Sequence, residues 1–385
     1  GSNNTAVGSV ALNVNTGDHN TAVGKSALAA NTSGERNTGL GSLCLDANTT
    51  GNYNTGAGYA TLSEATTASN NTGFGYAALG NTTTGGNNTA FGYTALNTNT
   101  TGVSNTAVGQ NALGTSSTAN NNTAVGKDAL GACTTGGHNV ACGLNALAAQ
   151  TTSSNCTAMG SGAGIAVTTS DKSTLIGREA GVAVTTGGSN TCIGGSAGYN
   201  ITTGFGNTML GTNTHASAAD GNYQICIGYN VSGVGNNYIT MGSSTGSDRI
   251  YVKYDVNASW TRVSDERYKE EIQNNTDCGL NFINDLRPVT FKWKPKSDID
   301  NTLPDYDENK TERHHDGKMY GLIAQEVKQA LEDNNITDFG GWTETPEGIQ
   351  GISQEMFVHP LIKAVQELSA KVDSLQNEIN ILKGE

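Results

Sequence analysis

Ser264 and Lys269 stand five residues apart in Ser264-Asp265-Glu266-Arg267-Tyr268-Lys269, where a neutral, glycine-rich sequence gives way to a charged one. A serine hydroxyl becomes a nucleophile when a base removes its proton, and a lysine amine serves as that base once burial disfavours its ammonium form. A bend between them would lay the amine beside the hydroxyl, and the outcome would be a cut peptide bond. Spacing alone leaves a second reading open, in which Ser264 caps a short surface helix over residues 266–272.

Other chemistry finds little support. The seven cysteines form no CxxC pair and no His/Cys cluster with zinc spacing. Cys44, Cys142, Cys156, Cys192 and Cys226 fall where neighbouring repeats put Ala, Val, Thr or Ile, and they read as small buried hydrophobes. The adjacent His314 and His315 lack a third ligand at suitable spacing, so neither a metal nor a cofactor is expected. The net charge of −13 divides into five basic against eight acidic residues up to position 244, and sixteen against twenty-six beyond it. Neither part attracts a polyanion, so nucleic acid is not an expected partner. No apolar stretch reaches 18 residues, and no membrane insertion is expected. The chain opens on Gly1-Ser2 inside a repeat, as a fragment would whose attachment domain lies upstream.

The elements that must position the pair begin with an array. A unit reading N-T-A-V-G-x-x-A-L, followed by Thr, Gly and Asn, recurs with its first glycine at Gly8 and Gly24 and then at every seventeenth residue to Gly228. A fixed period without insertions predicts one solenoid coil per unit. Two helices need roughly 30 residues per unit, so the coils must be built of short strands, with the glycine at a tight corner or a close backbone approach. Stacked in parallel at about 4.8 Å, some fourteen coils would span about 65–70 Å. Each coil offers only three or four apolar side chains. That is thin for a lone solenoid, and it predicts an intertwined homotrimer in which the apolar faces of three chains meet.

Asn-Thr pairs such as Asn54-Thr55, Asn105-Thr106 and Asn122-Thr123 are expected to form ladders. From residue 161 the second block changes from Ala-Leu to Ala-Gly, which predicts slimmer or more tightly packed coils. Tyr59, Tyr76 and Tyr93 follow the glycine in successive coils and read as a stacked structural ladder, with a glycan platform as the alternative. The pattern resembles the head domains of trimeric autotransporter adhesins, whose N-S-V-A-I-G repeats build parallel β-rolls, although the unit here is longer.

Beyond the array, Ile250, Val252, Tyr254 and Val256 alternate with Arg249, Tyr251, Lys253 and Asp255, predicting a strand with one buried face. Residues 277–286 carry helical spacing, with Asp277 as cap and Pro288 as stop. A strand over 289–293, a solvated loop over 295–318 and a helix from Gly321 to about Glu332 follow. Leu361, Val365, Leu368, Val372, Leu375, Ile379 and Leu382 then alternate at spacings of four and three, the seam of a coiled coil that allows a trimer. Docking on its own domain is the alternative for this helix. The division is 1–244 repetitive β-solenoid shaft, 245–263 strand junction, 264–358 a small α+β domain, and 359–385 coiled coil.

Four ordered motifs make one family resemblance specific. They are Trp260-x-Arg262-Val263-Ser264-Asp265-Glu266-Arg267-Tyr268-Lys269-Glu270-x-Ile272, Leu286-Arg287-Pro288-Val289-x-Phe291-x-Trp293, Gly321-Leu322-Ile323-Ala324-Gln325-Glu326-Val327, and the terminal heptads. Together they resemble the intramolecular chaperone auto-processing domain of phage tail fibres, endosialidase tail spikes and neck appendages, which also occurs in myelin regulatory factor. The resemblance implies a trimeric chaperone that aligns three chains, lets upstream β-structure wind, and is released by self-cleavage. It implies Ser264 as nucleophile, Lys269 as general base, Asp265 and Arg267 as supporting residues, and a cut at Ser264-Asp265, with Val263-Ser264 as the alternative.

The expected protein is therefore mainly β, a structural component of a phage tail fibre or appendage for host attachment, whose only enzymatic act is single-turnover self-cleavage. Its expected partners are two further copies of itself and a host receptor or glycan, and its expected place is the virion after assembly in the host cytoplasm. The alternatives are a cellular trimeric adhesin at the cell surface with the same self-cleaving chaperone, and, less favoured, a fragment of a glycan-degrading tail spike. The latter is disfavoured because the array holds no paired carboxylates in a cleft-forming insertion.

Overall fold

In each repeat the Thr-Ala-Val block is extended and the residues after it coil back through tight turns, so that the next block lies one strand spacing away. In a computed structural model this produces strands β1 (Thr5–Val7) to β15 (Tyr238–Gly242), all parallel. The structure describes residues 1–243, 249–255, 261–262, 266, 269–303, 306–313, 317–345 and 348–384. By backbone contacts the chain divides into two units, residues 1–268 and 269–385.

Register follows the repeat. Thr106, Ala107 and Val108 pair with Thr123, Ala124 and Val125, an offset of one unit, and the same offset runs through the array. Every strand from β1 to β14 pairs with the next coil of the same chain. The expected thin core is also filled from within. The middle strand residue, such as Ala107, and the Ala-Leu pair, such as Ala112-Leu113, are fully buried in a single chain. Buried asparagines complete the interior: Asn105 donates from Nδ2 to the carbonyl of Ala119 at 2.8 Å, and its Oδ1 accepts the backbone N–H of Asn122 at 3.0 Å. These ladders satisfy backbone groups that a coil this narrow would otherwise orphan.

The glycine after each strand is required on two counts. Gly109 has φ +132°, and a Cβ there would lie 2.6 Å from the backbone of Gly126 in the next coil. Both a corner and a close approach are present, as the spacing suggested. A further corner places leucine in left-handed backbone, as at Leu113 with φ 51°. That conformation costs about 1–2 kcal/mol for an L-residue, and complete burial of the leucine offsets it.

The lower coils are not slimmer. Where leucine gives way to Gly164, Gly181 and Gly198, the middle strand residue grows to Leu175, Cys192 and Met209. A Cβ on Gly164 would meet Leu175 at 2.6 Å and Leu147 at 2.9 Å. Core volume has moved from the turn to the strand while glycine relieves the left-handed corner.

After β15 the direction reverses. Strand β16 (Arg249–Lys253) pairs antiparallel with β15, and β17 (Thr261–Arg262) pairs antiparallel with β16. Pairing of Met241 with Ile250 and Ile239 with Val252 sets the apolar half of β16 on the outer side of the sheet, and Ile250 is 39 % exposed. The expected buried face is thus an outward one, because alternation defines two faces and only the register says which is inside.

The second unit is small. Helix α1 (Leu280–Asp285), β18 (Val289–Phe291), β19 (Met319–Gly321), α2 (Ala324–Asp333), β20 (Trp342–Glu344), β21 (Gln350–Ile352) and α3 (Val358–Lys383) surround Phe282, Val327, Ala330, Leu331 and Ile336. Phe282 stacks on Phe357 and meets Phe339 edge-on. The helix expected from Gly321 begins three residues later, because residues 319–321 pair as a strand with β18.

Candidate functional site

The candidate pair falls at the join of the two units. Upstream, β17 is held on the sheet edge, with Arg262 opposite Ile250. Val256, Trp260, Val263, Ser264, Asp265, Arg267 and Tyr268 lie outside the described residues, as do His314 and His315. Lys269 is described and solvent-exposed. The segment from Lys269 to Ile272 is not helical, and Glu271 turns the backbone with φ 54°. A helix continuing to residue 272, which a capping role for Ser264 would need, is therefore not formed.

The downstream motifs are brought together around this segment's own unit. Strand β18, from the motif beginning at Leu286, pairs with β19, which ends at the Gly321 that opens the next motif; Val289 lies opposite Gly321 and Phe291 opposite Met319. The Arg287 guanidinium joins the Glu326 carboxylate through two bonds, Nε to Oε2 at 3.0 Å and Nη2 to Oε1. Donation from Arg287 holds the Glu326 carboxyl below the usual glutamate range and raises the guanidinium further. Both side chains are exposed, so this planar pair aligns the two motifs more than it stabilises them.

Asp277 does not cap α1. The Glu367 carboxylate on α3 accepts the N–H of Leu280 at 2.7 Å, eighty-seven residues on in the chain. That bond, with Lys363 at 3.4 Å, keeps the Glu367 carboxyl below its ordinary range. Residues Arg287, Glu326 and Glu367 received no individual role from the sequence. A bidentate arginine inside a motif was a usable signal; a cap supplied from so far along the chain was not.

The heptad residues all lie on α3. Leu361, Val365, Leu368, Val372, Leu375, Ile379 and Leu382 are 44–86 % exposed, whereas Pro360 and Ala364 on another face of the helix are buried. The seam is not docked on its own unit. Pro360 is tolerated because it stands in the first helical turn, where its missing N–H has no intrahelical partner to lose.

Residues 264–336 match the family model of a peptidase group described as chaperone of endosialidase. No curated protein and no solved structure matches the chain. The matched segment begins at Ser264 and takes in α1, the β18–β19 pair, the Arg287–Glu326 pair and α2. The match takes in the three motifs upstream of the heptads from Ser264 onward, and it follows the parallel solenoid after the antiparallel strands β16 and β17.

Proposed function

We propose that the chain is part of a phage tail fibre or similar virion appendage used for host attachment. In this reading the segment from Ser264 onward is an intramolecular chaperone that gathers three chains, sets their register and is then cut away. The observation that carries the reading is the order of parts: a repetitive solenoid joined at Ser264 to a segment matching the endosialidase chaperone model. The apolar seam left exposed on α3 supports gathering by a three-stranded coiled coil.

The chemistry assigned to the join is a single serine–lysine turnover. The Lys269 amine takes the Ser264 hydroxyl proton, Oγ attacks a peptide carbonyl, and the amine returns the proton to the leaving nitrogen. Water then opens the resulting ester. Lys269 must be desolvated for this role, and closure of three chains around the join would supply that desolvation. Asp265 and Arg267 are assigned to orienting the turn. The cut is assigned to Ser264-Asp265, for which attack by Ser264 Oγ on its own carbonyl closes a four-membered lactone, expels the Asp265 nitrogen and is opened by water; Val263-Ser264 is the alternative, for which attack on the Val263 carbonyl passes through a five-membered ring.

Intact mass and denaturing electrophoresis of freshly expressed protein test this. Wild type should separate into two pieces, 264 and 121 residues for the assigned bond or 263 and 122 for its alternative. Ser264→Ala and Lys269→Ala should remain whole, and so should Lys269→Arg, since a guanidinium does not give up its proton. A trimeric wild type that stays in one piece would remove the autoproteolysis from the account.

A further inference from the structure

We propose that the outward face of strands β1 to β16 is the surface along which copies of the shaft lie against one another, in parallel and level with each other. The inference rests on the trimeric reading above and names the surface that reading needs.

The first and third residues of each strand point outward. The first is threonine in most coils and valine or isoleucine elsewhere; the third is apolar throughout, as in Val23, Leu40, Phe74, Val108 and Met159. Neither row contains a charged residue from β1 to β15. Third-row side chains such as Val23, Phe91, Met159 and Met241 are 36–45 % exposed in one chain, and Ile250 and Val252 carry the two rows onto β16. At about 4.8 Å per strand and about 10 Å of width, this uninterrupted strip covers on the order of 700 Å². In a ring of three each strip is shared between two neighbours, about 350 Å² toward each, against about 800 Å² per partner in a stable pairwise interface, so the strip acts together with the seam on α3.

Its occupant must repeat at the strand spacing over the whole length and be equally free of charge. A second copy does both. The two edges of the strip also complement each other. Three residues before each strand, the charged positions are acidic, Asp18, Glu35 and Asp171, although Arg36 and Lys172 follow two of them and Arg36 pairs with Glu35 at 3.4 Å. Two residues after each strand they are all basic: Lys25, Lys127 and Arg178.

Parallel copies in a closed ring bring the leading edge of one chain to the trailing edge of the next at the same level. Asp18 then meets Lys25 beside β2 (Thr21–Val23), and Asp171 meets Arg178 beside β11 (Thr174–Ile176). Lys127 and Arg178 already neighbour Asp128 and Glu179 in their own chain, but each remains exposed with donors to spare. Size follows the same rule: Tyr76 would face Ser69, Tyr93 would face Gly86, and Leu144 would face Gly137. The tyrosines stack on one another at 5.5 and 5.2 Å between centroids, so their faces are largely used within the chain and their edges are left for such a neighbour.

The chain carries its own probe. Cys142 is the third residue of β9 (Val140–Cys142) and is half-buried on the strip. Cys44, Cys133, Cys156, Cys192 and Cys226 are buried in the coil interior, and burial pushes Cys44, Cys192 and Cys226 up to about 12 and Cys133 to about 11. The full chain should be treated with a short bismaleimide and the shaft fragment examined under denaturing conditions.

Shaft dimers linked through Cys142 are expected, and Cys142→Val should abolish them. In that background Val125→Cys should restore them at least about tenfold above Thr115→Cys, because thiols held level on one axis reach millimolar effective concentration. Thr115 is exposed and lies off the strip, in the turn between β7 (Thr106–Val108) and β8 (Thr123–Val125). A shaft that is trimeric by light scattering but links no better through Cys142 and Val125→Cys than through Thr115→Cys would overturn this surface and leave the trimeric reading standing. A shaft that stays monomeric would overturn both, while the mass test at Ser264 would still report on the cut.

Discussion

Asn105 shows what one side chain contributes to a coil of seventeen residues. It accepts from the coil above, donates to the carbonyl of Ala119, and its own N–H is taken by Asn88 at 2.9 Å. Asn105→Ala would leave a buried N–H and a buried carbonyl without partners, at about 1–3 kcal/mol for each orphan. Faster unfolding of the shaft in guanidinium should reveal the loss, whereas Thr118→Ala, at an exposed position, should change the rate far less. Glu326 makes a prediction of opposite locality. Its carboxyl is held below the ordinary glutamate range by Arg287, so its contribution is present above that range and is lost as pH falls through the lowered value. Urea midpoints of the chaperone unit should therefore separate wild type from Glu326→Gln at neutral pH and converge in acid. Equal separation at both pH values would contradict the assigned role of the pair.

At the scale of elements, legibility tracked how far apart in sequence the contacts lie. The solenoid could be read because its tertiary contacts join residues one repeat apart, so Thr106 pairing with Thr123 is written into the period itself. The helix α3 was equally plain, since its apolar seam is local. What stayed hidden was non-local or directional. Glu367 caps α1 from the far end of the unit, strand β19 claims residues 319–321 from the expected helix, and β16 turns its apolar side outward. The exchange of Leu113-type turns for Leu175-type strands looked like lost volume because the compensating residue sits eleven positions on, in the next repeat's strand. At the candidate pair, the sequence motif alone names Ser264 and Lys269, and the family match begins at Ser264 without assigning roles; the serine lies outside the described residues, so only its flanks are described. The exposed seam yields a prediction of its own: Leu368→Asp with Leu375→Asp should leave the chain monomeric by light scattering and uncut by mass. Cleavage of such a monomer would separate the chemistry from assembly and contradict the coupling proposed here.

For the whole molecule, the regularity that makes the shaft easy to read makes it hard to assemble. Each strand pairs within its own chain, so the proposed contact between chains is a strip whose rows repeat at the strand spacing. Sliding one chain by a coil would preserve nearly every apolar contact and displace only scattered features such as Phe74, Phe91 and the charged edges. Association is slow to correct such errors once long contacts have formed. In the proposed reading a clamp at one end, with a seam that fixes three chains level, would remove the ambiguity before the strip closes, and cutting afterwards would leave a product held by its barrier to unfolding. The most direct measurement compares the assembly state of the shaft produced from the full chain with that of residues 1–263 expressed alone, by light scattering and Cys142 cross-linking. Level, cross-linked trimers are expected from the full chain, and monomers or heterogeneous aggregates from the isolated shaft. Uniform level trimers from residues 1–263 alone would contradict that expectation.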